Sequence, residues 1–192
     1  MLFRSTGGTK EHSIMEFVTL SDRSGSWRTT IKTPKAGGPF TIKIYDKDDT
    51  AKISNVLIGE VWFCSGQSNM EMPMRGFKNQ PVLHSNEILM NADNDQLRLF
   101  ETKRNATIIP VDTINGDWKV SSPASASEFS AVAYMYGKML QEKLKVPVGI
   151  IVSSWGGTKI QSWMDYESLA DFPSDINEYK TKADTAKEKI GR

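Results

Sequence analysis

The run Gly66-Gln67-Ser68-Asn69 stands directly after the apolar stretch Val61-Trp62-Phe63-Cys64-Ser65. In an open parallel sheet, ligands bind beyond the carboxyl ends of the strands, and a serine in the first turn there presents its hydroxyl and its own backbone N–H together. That arrangement suits a nucleophile attacking an acyl carbonyl. Gly66 lets the chain turn without a Cβ clash, and a helix starting near Asn69 would aim partial positive charge at a developing oxyanion. The same local pattern also fits a serine that only caps a helix in a βα turn. Gln67 and Asn69, on either side of Ser68, are candidate oxyanion or substrate contacts. A second run, Ser153-Ser154-Trp155-Gly156-Gly157-Thr158, again follows an apolar strand. Its glycines let backbone N–H groups approach a ligand, so Gly156, with Gly157 as second choice, is a candidate oxyanion donor opposite Ser68. A tight turn leading into a helix through Ile160, Trp163 and Met164 is the alternative. Gly156-Gly157-Thr158-Lys159 lacks the glycine–lysine spacing of a phosphate loop.

A serine hydroxyl attacks well at neutral pH only when a neighbouring base takes its proton. The two histidines, His12 and His84, are the available imidazoles, and neither has an aspartate three residues earlier. Cys64 lies inside the apolar strand with no histidine near it in sequence, which favours an inert core thiol over thiol catalysis. Glu71, Asp93 and Asp95 are scattered acids without a matching histidine pattern, so no metal site is expected and the acids read as solvated.

These runs need a scaffold, and 192 residues allow one substantial core with room for a small lobe. Lysine and arginine number 24 against 23 acids, a formal charge of +1 that gives no general pull toward nucleic acid or anionic membrane. Hydrophobic residues make up 39 % of the chain and form no run long enough to span a bilayer. The single cysteine excludes an internal disulfide. The opening Met1 to Gly8 turns polar too early for a signal peptide, and residues 1–14 read as a loose start.

From Phe17 to Asn55, alternating runs at Thr29-Thr30-Ile31-Lys32 and Phe40 to Tyr45 predict a β-rich lobe, with a turn at Asp46-Lys47-Asp48-Asp49. Val61 to Ser65 reads as a parallel strand covered on both faces. Next come a helix near Asn86 to Asn91, a strand over Leu97 to Phe100, and a long connection through Asp112, Gly116 and Trp118. Ser125-Ala126-Ser127-Glu128 has capping-box spacing. Phe129, Val132, Ala133, Tyr136, Leu140 and Leu144 recur at helical spacing after it. Pro147 ends that helix, and Val148 to Ser154 predicts the next buried parallel strand. Glu178 to Lys189 is a polar helix candidate.

Taken together, Gly38-Pro39-Phe40, Ile58 through Glu71, Phe129-Ser130-Ala131-Val132-Ala133-Tyr134 and Val146 through Ile160 resemble the sialate O-acetylesterase family of SGNH hydrolases. The resemblance implies an α/β fold: a flavodoxin-like three-layer core, incomplete here, behind a small β-rich lobe. Residues 1–55 then form part of that lobe, and residues 56–192 the N-terminal part of the esterase domain. It implies that Ser68 attacks an acetyl ester of sialic acid or another glycan sugar, and that water hydrolyses the acetyl-enzyme without a cofactor. Family members also carry a later Gln-Gly-Glu-Ser type run and an Asp-x-x-His pair that supplies the base. Neither is present, so the chain reads as a fragment with weak or absent turnover of its own.

An unfinished parallel sheet exposes an edge and an apolar face, which predicts homo-oligomers or domain swapping. Trp155, Trp163 and Tyr134 form either a sugar-stacking wall or core. Met70, Met72 and Met74 line an acyl pocket or fill gaps. Relatives that process glycans suggest a periplasmic or extracellular setting. Two rival readings are a non-catalytic carbohydrate-binding or assembly fragment and a flavodoxin-like nucleotide binder. The second suffers from the few glycines in Gln67 to Glu71.

Overall fold

A computed structural model describes residues 2–7, 15–107, 111–165, 167–178 and 180–181. Two four-stranded sheets follow one another along the chain. The first is antiparallel and contains β1 (Leu2–Gly7), β2 (Met15–Val18), β3 (Gly37–Tyr45) and β4 (Thr50–Ile58) in the order β2-β1-β3-β4. The Asp46 carboxylate closes the β3–β4 hairpin by accepting the N–H groups of Asp48 and Asp49, both at 2.9 Å.

Two expectations for this lobe are overturned. Within the loose start, residues 2–7 form β1, which pairs with β3 from Leu2↔Tyr45 to Gly7↔Phe40. Thr29 to Lys32 form no strand. β3 is already flanked by β1 and β4, and β-branched composition alone makes no strand without a ladder, which this segment does not form with either edge strand.

The second sheet holds β5 (Glu60–Gly66), β6 (Asn94–Glu101), β7 (Trp118–Ser121) and β8 (Val148–Ser154) in the order β5-β8-β6-β7. β8 runs parallel to both neighbours, and β7 is antiparallel to β6. Short helices α1 (Ser68–Glu71), α2 (Ser85–Met90) and α3 (Pro123–Glu128) connect these strands with the long α4 (Ala131–Leu144). β7 lies in the stretch expected to be a plain connection. Its first three residues are exposed, so periodicity does not reveal it. The Trp118 ring packs on Phe100 at 5.2 Å and fixes it to β6.

α4 covers one face of this sheet. Leu97, Leu99, Ile150 and Val152 pack with Ala133 and Tyr134 in the core beneath it. Gly137 lets the helix approach, because a Cβ there would stand 2.5 Å from Ile150 Cγ1. The capping assignment shifts along the sequence. Ser122 and Ser125 form the capping box of α3, and Ser130 caps α4 by accepting the Ala133 N–H. Glu128, expected to reach back to a cap, instead pairs with Arg75 at 2.7 Å.

β5 departs from the sequence expectation most. It is the edge strand, and Val61 and Phe63 are 62 % and 64 % exposed instead of covered. Alternation sends Trp62 toward Tyr136 of α4, at 5.5 Å, and Val61 and Phe63 to the opposite side with Trp118. An apolar run signals a two-sided strand only when the neighbours that cover it are present. Ile160–Trp163 form a single 3-10 turn, not an α-helix, and residues 173–178 are helical. Most of the Glu178 to Lys189 candidate lies outside the described residues.

Candidate active site

The two glycine-containing runs meet at the carboxyl ends of adjacent parallel strands. Gly66 is in register with Ser154, and one further bond, Trp155 N–H to Gly66 O at 3.0 Å, extends the ladder into both turns. Gly66 has φ +157°, where a side chain would be strained, and an added Cβ would stand 3.1 Å from Met70 Cβ. Ser68 opens α1 and is exposed. As a first-turn residue its N–H has no acceptor inside the helix. α1 is one turn, closed by Glu71 N–H to Gln67 O at 2.9 Å and Met72 N–H to Ser68 O at 3.1 Å. A helix this short sums to little macrodipole, so any oxyanion stabilisation rests on single N–H groups, contrary to the expected helix field.

The Ser68 hydroxyl makes a long contact to Gln67 Oε1 at 3.4 Å, while Gln67 Nε2 donates to Thr158 O at 3.2 Å. Gln67 therefore straps the first turn to the second. Asn69 is exposed, and its side chain makes no hydrogen bond among the described residues.

Gly156 lies against Ser68, since a Cβ on it would come 3.7 Å from Ser68 Cα. Its N–H donates to the Glu71 carboxylate, which also pairs with Arg104. The first choice of glycine donor is thus engaged within the protein. Gly157, at φ +77° with open space around it, makes no hydrogen bond through its N–H among the described residues. The Arg104 guanidinium sits 5.5 Å from the Trp155 ring centroid. Thr158 Oγ1 donates to the Trp155 backbone O at 2.7 Å and accepts from Trp163 Nε1 at 2.8 Å, so the Trp163 indole is tied to the turn.

Glu71 is the residue that sequence reasoning missed. The sequence predicts a solvated acid like Asp93 and Asp95, yet its side chain is only 24 % exposed and reaches from the first turn to the second. Its position three residues after Ser68, on one side of a helical turn, was the available signal.

Other candidates separate clearly. His84 is exposed at the start of α2, with Nδ1 at 3.7 Å from Glu87 Oε2, and His12 lies outside the described residues. The structure brings no histidine to Ser68 among the described residues. Tyr134 is buried, its hydroxyl 3.2 Å from Ser121 Oγ, and drops out of any stacking wall. Trp155 and Trp163 stay accessible and line a cavity of about 460 Å³ with Phe63, Arg104, Asn105 and Asn115. Met74 is fully buried and Met70 packs on the core, which makes both structural. Burial pushes the Cys64 thiol up, away from reactivity. Partial desolvation raises the Glu101 carboxyl at the solvent-exposed end of β6, with Lys119 opposing the shift.

No protein-family model matches the chain. It is 30 % identical over 172 residues to a sialate O-acetylesterase of Rattus norvegicus, covering 83 % of this chain and 31 % of that protein. It is 30 % identical over 178 residues to a sialate O-acetylesterase of Homo sapiens, covering 83 % of this chain and 32 % of the other. The crystal structure of a carbohydrate acetylesterase from Xanthomonas citri superposes with a TM-score of 0.73 at 31 % identity, over 88 % of this chain and 37 % of that one. The chain therefore spans about a third of the length of the curated relatives it matches. Its α/β core is the corresponding part of an SGNH-type hydrolase fold. By sequence and by fold, the chain belongs to the sialate O-acetylesterase family.

Proposed function

We propose that this chain carries the nucleophile turn of a serine esterase that removes O-acetyl groups from carbohydrates. Ser68 Oγ bonds to the acetyl carbonyl carbon and loses its proton, the sugar oxygen leaves with a proton, and water cleaves the resulting acetyl-serine. Ser68 N–H is one oxyanion donor. Gly157 N–H is the preferred second, because Gly156 N–H already serves Glu71. The observation that carries this reading is the joining of the two turns at the ends of β5 and β8 through Trp155 N–H and Gly66 O. The substrate class follows from the sialate and carbohydrate acetylesterases to which the chain is similar. The cavity beside Trp155 and Trp163 offers indole faces for a sugar ring.

The neighbour of the Ser68 hydroxyl is an amide, which cannot take a proton at neutral pH. Acylation by this polypeptide is therefore expected to be slow. The test is the slow release of p-nitrophenol from p-nitrophenyl acetate with acetylation of Ser68 read by mass spectrometry. Release and acetylation that vanish in Ser68→Ala support the reading, and equal release by both proteins sinks it.

The same sheet supports association between copies. Among the described residues β5 pairs only with β8, and Val61, Trp62 and Phe63 are exposed along it. Burying such a surface against a second copy offsets its cost in water. Sedimentation velocity should show a dimer or larger species that Phe63→Lys shifts to monomer. A monomer at all concentrations would count against association.

A further inference from the structure

We propose that Glu71 is a positioning residue for the Ser68 site, a carboxylate clamp that sets the Gly156–Gly157 turn against the nucleophile turn. The role rests on the reading of Ser68 as nucleophile. Glu71 sits at the end of α1, three residues from Ser68, and accepts the N–H of Gly156, 85 residues away in sequence. Arg104 grips the same carboxylate and lies over Trp155, so the clamp has a third point of support on the segment after β6.

The clamp also accounts for glycine at 156. A Cβ there would stand 2.6 Å from Glu71 Oε2, in the space the carboxylate occupies. Gly157 has nothing within 4 Å of its would-be Cβ and is glycine because of its φ of +77°. The two adjacent glycines thus have separate physical reasons. With Gly156 N–H held by a carboxylate, a second negative oxygen at that donor would meet charge repulsion. The next N–H, on Gly157, makes no hydrogen bond among the described residues, and Glu71 fixes where that turn stands relative to Ser68.

Two readouts on the full chain test this in wild type, Glu71→Gln, Glu71→Ala and Arg104→Ala. The first is amide hydrogen exchange at Gly156 by NMR. Loss of a charge-assisted bond should speed exchange roughly tenfold or more in Glu71→Ala, with Glu71→Gln between the two. The second is the rate of fluorophosphonate labelling at Ser68, expected to fall about 10–100-fold in Glu71→Ala and to recover partly in Glu71→Gln, while the melting temperature changes little.

Unchanged exchange in Glu71→Ala would show that no clamp exists. Faster exchange with unchanged labelling would show a clamp without a positioning role. Either result overturns the proposal. Absence of a Ser68 adduct in the wild type would instead refute the nucleophile reading, with the exchange experiment still deciding the clamp.

Discussion

Gly137→Ala isolates the contact on which the placement of β8 depends. The new methyl carbon would lie 2.5 Å from Ile150 Cγ1, 2.9 Å from Ile150 Cδ1 and 3.3 Å from Leu97 Cδ1. Ordinary carbon contacts are about 3.5–4.0 Å, so α4 and the sheet must separate by something near 1 Å. Ile150 and Leu97 are both fully buried and have no empty side to move into. Alanine in place of glycine in a helix interior gains about 1 kcal/mol from backbone propensity. Overpacking a close-packed core costs about 1–3 kcal/mol, and here the clash is with a β-branched side chain at its stiff end. The clash should offset the propensity gain and leave the variant up to about 2 kcal/mol less stable, or as much as roughly 8 °C lower in Tm for a protein of this size.

Urea unfolding of wild type, Gly137→Ala, Ile150→Ala and the double variant measures it. The alanine methyl should fill part of the space left by Ile150. The double variant is then more stable than the sum of the singles by about 0.5–3 kcal/mol. A Gly137→Ala protein stabilised by the full helix propensity, with additive double-variant energies, would refute the close approach of α4.

Other outcomes follow from the same contacts. Ser130→Ala removes the cap of α4 and a buried hydroxyl that contacts Met70 Sδ at 3.4 Å, and should cost about 1 kcal/mol in urea unfolding. Glu101→Gln should raise the melting temperature slightly at neutral pH, the effect being reduced by the residue's exposure to solvent. Partial desolvation lifts the folded carboxyl above its unfolded value, so stability is lost as pH rises from the ordinary carboxylate range through the folded pKa. The advantage of the glutamine must shrink as the pH is lowered, and an advantage independent of pH would contradict the sign. Gly157→Ala should strain the second turn without a clash, whereas Gly156→Ala should displace Glu71. Chemical shifts of the Gly156 and Gly157 amides distinguish the two.

The scaffold was legible where local patterns carry their own partners. The apolar runs of β5 and β8, the helical periodicity of α4, and the Asp46 turn all appear where the residues place them. What escaped depends on distant neighbours. β7 is held by Trp118 on Phe100, and its outward residues look like loop. Thr29 to Lys32 has strand chemistry but pairs with neither edge strand of the first sheet. Ser125 takes part in a capping box, but as its third helical residue with Ser122 as the cap, and Ser130 caps α4. At the site, Ser68 and the glycine pair were named from their settings after strands. Glu71 was not, because its bond to Gly156 spans 85 residues and leaves no periodic trace.

The central claim is that Ser68 is the nucleophile. It is tested most directly by incubating the protein with a fluorophosphonate and locating the adduct by tandem mass spectrometry of the peptide around residues 66–71. The account predicts a single phosphonylated serine at Ser68, absent from Ser68→Ala. An adduct on any other residue, or equal labelling of the Ser68→Ala protein, would contradict it.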